Sequence, residues 1–305
     1  MMMAEFMSQS ELDYPFKLLE YFNGFRVSKV IFSACELGVF DLLLKSQESL
    51  SAQHVAQELG TSVDGMERLL DALVGIEILK VEQTRATAAL YSSSDVANLY
   101  LAKGSDKSLH DMIIYQSQTI YPLWNNMVDA IREGRNQNEK TFGLPSEEIF
   151  QAIYRSEEEI LKFMGLMNSS WVLDGHDIAT AFDLSGFKKI VDLGGDFFSG
   201  ELPAADLYIL ARIIHDWSEE KSLALLKRIH DVCEPGGGVL LVEAMLFENR
   251  RGPVTAQIFS LNMLVQTEGR ERPPSEYTDM LKKTGFQNIQ FCRTGKSYDA
   301  ILALR

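Results

Sequence analysis

A histidine and three carboxylates near predicted strand ends are the residues whose types and spacing could carry chemistry. His215 and Asp216 follow a short apolar strand predicted over 207–210, and Glu243 ends the next one, VLLVE. In an open α/β sheet, ligands bind at the carboxyl ends of the strands. A histidine there can take a proton near neutral pH, and a carboxylate such as Glu243 or Glu271 can hold its tautomer. The spacing leaves open the alternative that His215 merely packs at a strand end.

Two neutral amides form a second candidate group. Asn262 and Gln266 lie four residues apart in SLNMLVQTEG, which is predicted to be helical, so the two side chains share one face. Two amides on an apolar face suit hydrogen bonds to a polar ligand. An ordinary solvated helix edge explains the pair equally well, and the sequence does not decide between these interpretations.

The elements that must position these residues meet at an unusual junction. IVDLGG, residues 190–195, predicts a buried strand running into a glycine turn, and the strand at 207–210 follows soon after. In a doubly wound sheet, a helix and another strand would come between the glycine turn and the next acidic residue. Here Asp196 follows Gly195 directly, although a parallel crossover takes about a dozen residues or more. Either the two strands are not parallel neighbours, or the chain lacks part of a ligand site.

Strands and helices alternate in the rest of the C-terminal part. DLYILA and GGVLLVEA predict strands, and residues 219–233 predict a helix that ends at a proline and the glycines 236–238. The glycine triplet is a turn rather than a phosphate loop, because a strand and not a helix follows it. Two late strands, about 289–293 and 298–303, are expected to form a hairpin.

The N-terminal part is predicted to be helical, with a winged helix-turn-helix inside it. Apolar spacing predicts a helix over 16–44, and residues 49–82 predict two short helices, a tight turn at Gly60 and a strand-like end. Helix returns over 108–171, with a new start at Ser146. A winged unit binds DNA or serves as a scaffold or dimerisation domain. Its second helix carries three acids against one arginine, whereas a helix lying in a DNA groove needs the opposite balance, so the second role is favoured.

Composition limits the class of protein. The 305 residues suffice for two domains, and a net charge of −14 argues against nucleic acid or an anionic membrane as the main partner. Three cysteines without metal-ligand spacing indicate reduced thiols and a cytoplasmic protein. No apolar stretch reaches about 18 residues and the N-terminus has no signal-peptide pattern, so no membrane span or secretion is expected.

Several stretches taken together resemble a known family. VDLGG, GDFF, LPAADLYILARIIHDW, PGGGVLLVEAML and SLNMLVQTEGRER resemble the S-adenosylmethionine-dependent O-methyltransferases that carry an N-terminal winged-helix dimerisation domain. NGFRVSKVIFSACELGVFDLL, AIREGRNQ and AIYRSEEE fit the branch of that family that methylates acetylserotonin in melatonin synthesis. The resemblance implies an α/β fold with a mostly helical dimerisation domain over 1–105 and a Rossmann-like catalytic domain over 106–305. It implies a homodimer that uses no metal and transfers the methyl group of S-adenosylmethionine to the hydroxyl of N-acetylserotonin or a related hydroxyindole.

The resemblance also implies roles for individual residues. His215 matches the general base that removes the hydroxyl proton, and Glu243 and Glu271 match the acids that hold this histidine. Positions on the acetylserotonin side are matched by Asp216, Asn262 and Gln266. Positions around the methyl donor are matched by Tyr154, Trp171, Gly195, Asp196, Phe197 and Arg212.

The chain departs from the family between Gly195 and Asp196. In the family, a glycine-rich loop, a helix, a strand ending in an acid that binds the donor's ribose, another helix and a third strand come before GDFF. About 45 to 50 residues, or two strands with their helices, are therefore expected to be missing. We expect an exposed first strand, marginal stability or aggregation, and a donor affinity lowered by orders of magnitude. The alternative function is that of a catalytically impaired isoform, which dimerises with a full-length enzyme and modulates it.

Overall fold

The computed structural model describes residues 12–46, 48–82, 88–143, 154, 156–194 and 197–305. These residues form two compact units. The first unit runs to Gln118 and includes Gly165–Ser169, and the second contains Thr119–Met164 and Ser170–Arg305. The helix start predicted at Ser146 lies outside the described residues. Within the described part, no helix is long and apolar enough to cross a bilayer.

Helices build most of the first unit. In chain order they are α1 (Phe16–Leu37), α2 (Val39–Ser46), α3 (Ala52–Glu58), α4 (Val63–Gly75), α5 (Asp95–Tyr100), α6 (His110–Tyr115) and a π-helix over Gln116–Ile120. The single helix predicted over 16–44 is interrupted at Gly38, whose φ of 80° lies in the left-handed region that favours glycine. The N–H of Gly38 donates to the carbonyls of Ala34 and Cys35, so this residue ends α1 and lets α2 begin at once.

The winged helix-turn-helix predicted over 49–82 is present. Helices α3 and α4 each begin after a serine, Ser51 and Ser62, whose side chain accepts a hydrogen bond from an N–H of the first turn. The wing is a small antiparallel sheet in the order β1–β3–β2. Its strands are β1 (Leu50–Ser51), β2 (Leu79–Glu82) and β3 (Leu90–Ser93).

The acidic side chains of α4 are engaged within the unit itself. Asp64 forms an ion pair with Arg68 at 3.0 Å, and Asp71 accepts a hydrogen bond of 2.7 Å from the hydroxyl of Tyr91. The one arginine of this helix is therefore neutralised by its own neighbour, which agrees with the interpretation that α4 does not bind DNA.

The second unit contains helices before, between and after the strands of a larger sheet. They are α7 (Tyr121–Trp124), α8 (Met127–Glu133), α9 (Asn138–Phe142), α10 (Glu157–Ala179, of which Gly165–Ser169 belong to the first unit), α11 (Glu219–Val232), α12 (Val254–Gln266) and α13 (Pro274–Thr284). The predicted helix over 219–233 is confirmed as α11. Ser156 caps α10 by accepting from the N–H of Glu159, and three glutamates occupy its first turn, where they suit the helix dipole.

The sheet of the second unit has five strands in the order β4–β5–β6–β8–β7. They are β4 (Ile190–Asp192), β5 (Leu207–Ala211), β6 (Gly238–Glu243), β7 (Gln287–Cys292) and β8 (Asp299–Leu304). Strands β4, β5 and β6 are parallel, and β8 runs antiparallel to both of its neighbours. The predicted strands and the late hairpin are confirmed. The carboxyl ends of β4, β5 and β6 meet at one edge of the sheet, where ligands bind in folds of this class.

Both faces of the sheet are covered. Tyr208 of β5 packs on the side that holds Leu225 of α11, while its neighbour Leu207 packs on the opposite side with Leu240 and with Ile178 of α10. Successive residues of a strand point to opposite faces, so burial on both faces explains why the central strands read as continuous apolar runs.

Strands β4 and β5 are parallel neighbours, with Ile190 opposite Leu207. Of the two alternatives raised at the junction, the one in which these strands are not parallel neighbours is therefore wrong. The connection between them, residues 193–206, meets the dozen or so residues that a parallel crossover requires.

Strand β4 is the outer strand of the sheet, as expected. Its bonds to β5 come from the carbonyl of Lys189 and the N–H of Leu193. Backbone groups alternate in direction along a strand, so those of Ile190 and Asp192 face away from β5. The side chain of Ile190 is also 48% exposed. Within the described residues, the sheet therefore ends at a strand whose outer backbone groups pair with no other strand and whose surface is partly apolar.

The connection after β4 is anchored by Arg228 of α11. Its guanidinium donates to the carbonyls of Phe197 at 2.6 Å and Gly200 at 2.5 Å, and also to that of Phe198. One cation thus satisfies three carbonyls of a segment that has no strand or helix of its own.

Candidate active site

The site is centred on His215, in a short 3₁₀ turn (Ile214–Asp216) that follows β5. The imidazole is buried, and its Nδ1 lies 2.7 Å from Oε1 of Glu271. Oε2 of Glu243 lies 3.7 Å from the same nitrogen, and Oδ1 of Asp216 lies 3.7 Å from Nε2. The histidine and the three carboxylates singled out in the sequence therefore form one cluster.

Glu243, the last residue of β6, ties this cluster to the turn. Its Oε1 accepts hydrogen bonds from the N–H of Ile214 at 2.8 Å and of Ile213 at 3.3 Å. The carboxylate is fully buried, so these two donors offset part of the cost of removing it from water. Strand β6 thus fixes the backbone that carries His215.

Arg272 holds the same turn from the other side. Its guanidinium, which is buried, donates to the carbonyls of Ile214 and Trp217, each at 2.9 Å. These carbonyls bracket His215, so a single side chain sets the shape of the turn. Arg272 was not singled out from the sequence. Its position directly after Glu271, a residue predicted to belong to the site, could have indicated it.

Gly269 allows this segment to approach so closely. A Cβ built at this position would lie 2.0 Å from the carbonyl oxygen of His215, far inside van der Waals contact. Any other residue here would push the 267–272 segment, and with it Glu271 and Arg272, away from the turn.

Burial and the neighbouring charges shift the pKa of His215 in opposite directions. Burial alone would lower the pKa of His215, but the carboxylates of Glu271, Glu243 and Asp216 raise that pKa to about 10. Burial raises the pKa of Glu243 to about 7 and that of Asp216 to about 6. The cluster therefore stabilises the charged imidazolium, and a strong base results when the ring is neutral.

The arrangement leaves one ring nitrogen for chemistry. Since Nδ1–H donates to Glu271, Nε2 is the nitrogen that can accept a proton from a ligand. His215, Glu243 and Glu271 also offer atoms within 4.8 Å of one another, a spacing that a metal ion could accept. However, the 2.7 Å contact between Nδ1 and Glu271 is that of a charge-assisted hydrogen bond, and Oε1 of Glu243 already accepts from two backbone N–H groups. The geometry favours proton transfer.

Asn262 and Gln266 lie in the last two turns of α12, both half-buried. Oδ1 of Asn262 accepts a hydrogen bond of 2.8 Å from Nε1 of Trp124. The carbonyl of Gln266 accepts one of 2.7 Å from the amide of Asn138. The helix leads directly into the segment that touches His215, so the two amides belong to the same end of the unit as the histidine. Neither Trp124 nor Asn138 was predicted from the sequence as a partner of this helix.

Arg212 follows β5 on the side predicted for the methyl donor. It is buried, its guanidinium lies 5.4 Å from the ring centre of Tyr298, and its N–H donates to the carbonyl of Val242. Its φ of 58° is left-handed, which costs a non-glycine residue about 1 kcal/mol. Burial raises the pKa of Asp192 at the end of β4, while the charge of Arg212 opposes this shift. A buried cation thus stands at the carboxyl ends of β4 and β5.

The other residues predicted for the donor are not all brought together. Phe197 is buried with its ring edge-on to Trp217, at 6.2 Å between ring centres. Burial, together with the charge of Asp216, raises the pKa of Tyr154, which places this phenol near the histidine cluster. Trp171 is 42% exposed and folds back over Gly175 of its own helix. Gly195 and Asp196 lie outside the described residues.

Two family models match the chain. The model of the O-methyltransferase domain matches residues 124–196 and 194–287, and that of the O-methyltransferase dimerisation domain matches residues 19–103. The methyltransferase match thus comes in two segments that overlap at residues 194–196.

Individual relatives match along nearly their whole length. Acetylserotonin O-methyltransferase of Gallus gallus is 47% identical over 342 residues, which cover 97% of this chain and 99% of that protein. The enzyme of the same name from Homo sapiens is 44% identical over 345 residues, with the same coverage. A crystal structure of human N-acetylserotonin methyltransferase in complex with SAM superposes with a TM-score of 0.93 at 43% identity, covering 99% of each chain. Both sequence alignments are longer than the 305 residues of this chain.

Proposed function

This chain belongs to the O-methyltransferases that carry an N-terminal dimerisation domain, and from that premise we propose that it methylates the hydroxyl of N-acetylserotonin with S-adenosylmethionine. The observation that carries the proposal is the buried His215, held by Glu271 with Nε2 left to accept a proton. Two relatives that match over 97% of the chain are named for acetylserotonin. These matches favour an enzyme over an isoform that modulates another subunit.

The cluster supplies the base that the reaction needs. A hydroxyindole hydroxyl resembles a phenol, whose pKa is about 10. The pKa of His215 is raised to about 10, so proton transfer from this hydroxyl to Nε2 is nearly balanced in free energy. In the proposal, Glu271 and Glu243 stabilise the imidazolium that forms, and Asp216, Asn262 and Gln266 orient the substrate.

The described residues could bind part of the methyl donor. Arg212 offers a buried cation suited to a carboxylate, and Phe197 offers an aromatic wall beside the connection after β4. We assign donor binding to these two residues together with Tyr154, Trp171, Gly195 and Asp196. When bound, S-adenosylmethionine supplies a methyl group on a positively charged sulfur. The described residues offer no acid at the end of a second strand for its ribose, and this part of the fit is incomplete.

We further propose that about two strands with their helices are absent next to β4. Three observations support this. The alignments with the relatives exceed the length of the chain, the methyltransferase match divides at 194–196, and β4 is an exposed outer strand. The consequence is weaker donor binding, because the ribose acid contributes charged hydrogen bonds worth about 1.5 to 3 kcal/mol each and the glycine-rich loop contributes backbone hydrogen bonds worth about 0.5 to 1.5 kcal/mol each.

The proposed active form is a homodimer. The dimerisation model covers residues 19–103, which supports a boundary near 105 between a dimerisation domain and a catalytic domain over 106–305. Exposed apolar side chains line α1, as expected of a helix that packs against a partner. They are Phe16, Leu18, Leu19, Tyr21, Phe22 and Phe25. The three free cysteines, two of them buried, support a reducing cytoplasm as the location.

Incubation of the purified chain with S-adenosylmethionine and N-acetylserotonin tests the function. Mass spectrometry of the O-methylated product gives the rate, and His215→Gln, which keeps the size of the side chain but cannot act as a base, is the matched control. Product from the chain and a rate lower by about 100-fold or more in the variant support the proposal. Equal rates, or no product from a folded chain saturated with donor, overturn it.

Calorimetry with S-adenosylmethionine tests the missing segment separately. The chain is compared with a version into which the corresponding segment of the Gallus gallus enzyme is inserted between Gly195 and Asp196. We expect donor affinity to rise by at least tenfold on insertion. Equal affinities would show that the surviving contacts suffice for donor binding.

A further inference from the structure

The hydrogen bond between Trp124 and Asn262 determines which way one amide of the site points. Nε1 of Trp124 lies 2.8 Å from Oδ1 of Asn262. An indole nitrogen can donate a hydrogen bond but cannot accept one. The amide atom that faces it must therefore be the oxygen, and this assignment follows from chemistry rather than from the placement of two similar atoms.

Both partners of this bond are held firmly. Trp124 ends α7 and packs with Leu123 and Val265 in an apolar cluster. The end of α12 is fixed by two further bonds, from the N–H of Gln137 to the carbonyl of Val265 at 2.9 Å and from Asn138 to the carbonyl of Gln266. Neither the indole nor the helix can shift easily, so the amide cannot reverse without losing the bond.

The amide nitrogen of Asn262 is consequently left as a donor. Among the described residues, Nδ2 of Asn262 has no hydrogen-bond partner in the protein. Asn262 lies one turn before Gln266, and the chain then runs from Gln266 to Gly269, which contacts His215. Along α12, Asn262 is therefore about 6 Å farther from the histidine than Gln266. By this spacing along the helix, Asn262 is suited to a part of a ligand remote from the group that reaches His215.

We propose that Trp124 is a positioning residue that selects the substrate through Asn262. By holding Oδ1, it presents Nδ2 to an acceptor on the ligand, the carbonyl of an acetamide side chain. A free amine in that place is an ammonium group, which offers donors alone and would meet another donor. The inference rests on the proposed function and deepens it: the bond from Trp124 to Asn262 sets the preference of the site for an acetamide over a free amine.

Calorimetric titration with two probes, N-acetylserotonin and serotonin, tests this inference without any need for turnover. The chain is compared with Trp124→Phe, which keeps an aromatic ring but removes the N–H. In this variant the amide can reverse and offer its oxygen to an ammonium group. We expect the ratio of the two affinities to fall about fivefold, the effect of one hydrogen bond.

Two further variants separate positioning from packing. Met127→Leu alters the same apolar cluster without touching the bond, and should leave the ratio unchanged. Trp124→Phe introduced into Asn262→Ala should not change the ratio further, because Trp124 acts through Asn262. Equal weakening of both probes by Trp124→Phe, or the same change of ratio in the Asn262→Ala background, overturns the inference.

Failure of the proposed function gives a different result. If the unaltered chain, shown to be folded by its unfolding curve, binds neither probe, the proposed substrate class is wrong and the inference falls with it. If it binds N-acetylserotonin in preference to serotonin and the ratio does not respond to Trp124→Phe, the function stands and the role of Trp124 is refuted.

Discussion

His215 shows how single side chains set the chemistry of this site. A buried histidine without partners would lose its proton easily, yet here three carboxylates within 3.7 Å outweigh burial and raise its pKa to about 10. The same contacts that strengthen the base keep it protonated at neutral pH. In the proposed reaction, the neutral ring is a base strong enough for a phenolic hydroxyl. However, only a small fraction of the molecules carry the neutral ring at neutral pH.

This balance predicts a rate that rises with pH. Below the pKa of His215 the ring carries its proton and cannot accept another, so kcat/KM should increase up to a pH of about 10. Glu271→Gln removes a charge bonded to Nδ1, and its profile should shift toward lower pH. NMR titration of the five histidines, with His215→Gln for assignment, checks the same shift without turnover. An unshifted titration in Glu271→Gln would contradict the explanation.

Stability should change with pH in the opposite direction. The folded pKa of His215 lies above the value of 6.5 for an unperturbed ring, so its contribution is complete below that pH and is lost as the pH rises toward about 10. Glu243, whose folded pKa is also raised, contributes in the same sense between about 4.5 and about 7. Urea midpoints should therefore be lower at pH 9 than at pH 6. In His215→Asn the decline should be shallower, and an equally steep decline would point to other groups.

Arg272 predicts a large loss of stability from one substitution. Arg272→Met removes the guanidinium that donates to the buried carbonyls of Ile214 and Trp217, which should lower the free energy of unfolding by about 2 kcal/mol or more. Arg135→Met is the control, since Arg135 is exposed and its ion pair with Glu133 is screened by solvent and should add little to stability. Similar midpoints for the two variants in urea would show that Arg272 does not hold the turn.

At this scale the sequence pointed to the members of the histidine cluster better than to the residues that support them. His215, Glu243 and Glu271 were singled out by strand ends and by the resemblance, and the structure brings the three side chains together. Arg272 and Trp124 were missed, because their partners lie 55 to 138 residues away in the chain. A contact between such distant residues forms only through tertiary packing, so no local sequence pattern predicts it.

Among the elements, the 267–272 segment is the one on which the site depends. It has neither helix nor strand, but it contacts the histidine turn through Gly269, Glu271 and Arg272. The segment follows α12 directly, so the helix that presents the amides also delivers the partner of the base. In the proposed reaction, substrate binding and proton transfer would thereby be linked through one continuous piece of chain.

Gly269→Ala should disturb this segment more than its small size suggests. The added Cβ would overlap the carbonyl oxygen of His215, and overpacking of this kind costs about 1 to 3 kcal/mol. Displacement of Glu271 should also lower the pKa of His215. Gly186→Ala is the control, because a Cβ there meets nothing within 4 Å. Thermal unfolding and the His215 titration measure both effects, and a Gly269→Ala chain indistinguishable from Gly186→Ala would contradict the steric argument.

The elements themselves were largely predictable. Strands β4 and β6 were found as apolar runs next to glycines, β5 as an apolar run alone, and the end of α13 by Gly285. Periodicity alone missed the break at Gly38, because the apolar pattern continues on both sides of it. The π-helix over Gln116–Ile120 was also missed, since a local change of pitch leaves no clear mark in composition.

On the scale of the whole molecule, the exposed face of α1 predicts self-association. Phe22→Asp places a charge among apolar side chains that the proposed dimer would bury, so the dimer should dissociate at least tenfold more readily. Val232→Asp, which adds the same charge at another partly exposed apolar position, should have no such effect. Sedimentation velocity at several concentrations distinguishes the two. Equal sedimentation of both variants would exclude α1 from the interface.

The outer position of β4 makes the sheet modular. Pairing among β5, β6, β8 and β7 does not involve the outer side of β4. Strands can therefore be added or removed beside β4 without a change in how the other strands pair. The histidine cluster follows β5 and β6, while the two segments of the methyltransferase match overlap at residues 194–196, directly after β4. The proposed loss next to β4 would therefore remove the donor-binding edge of such a protein and leave its proposed acid–base centre in place, which separates the inheritance of a reaction centre from the inheritance of the donor site that serves it.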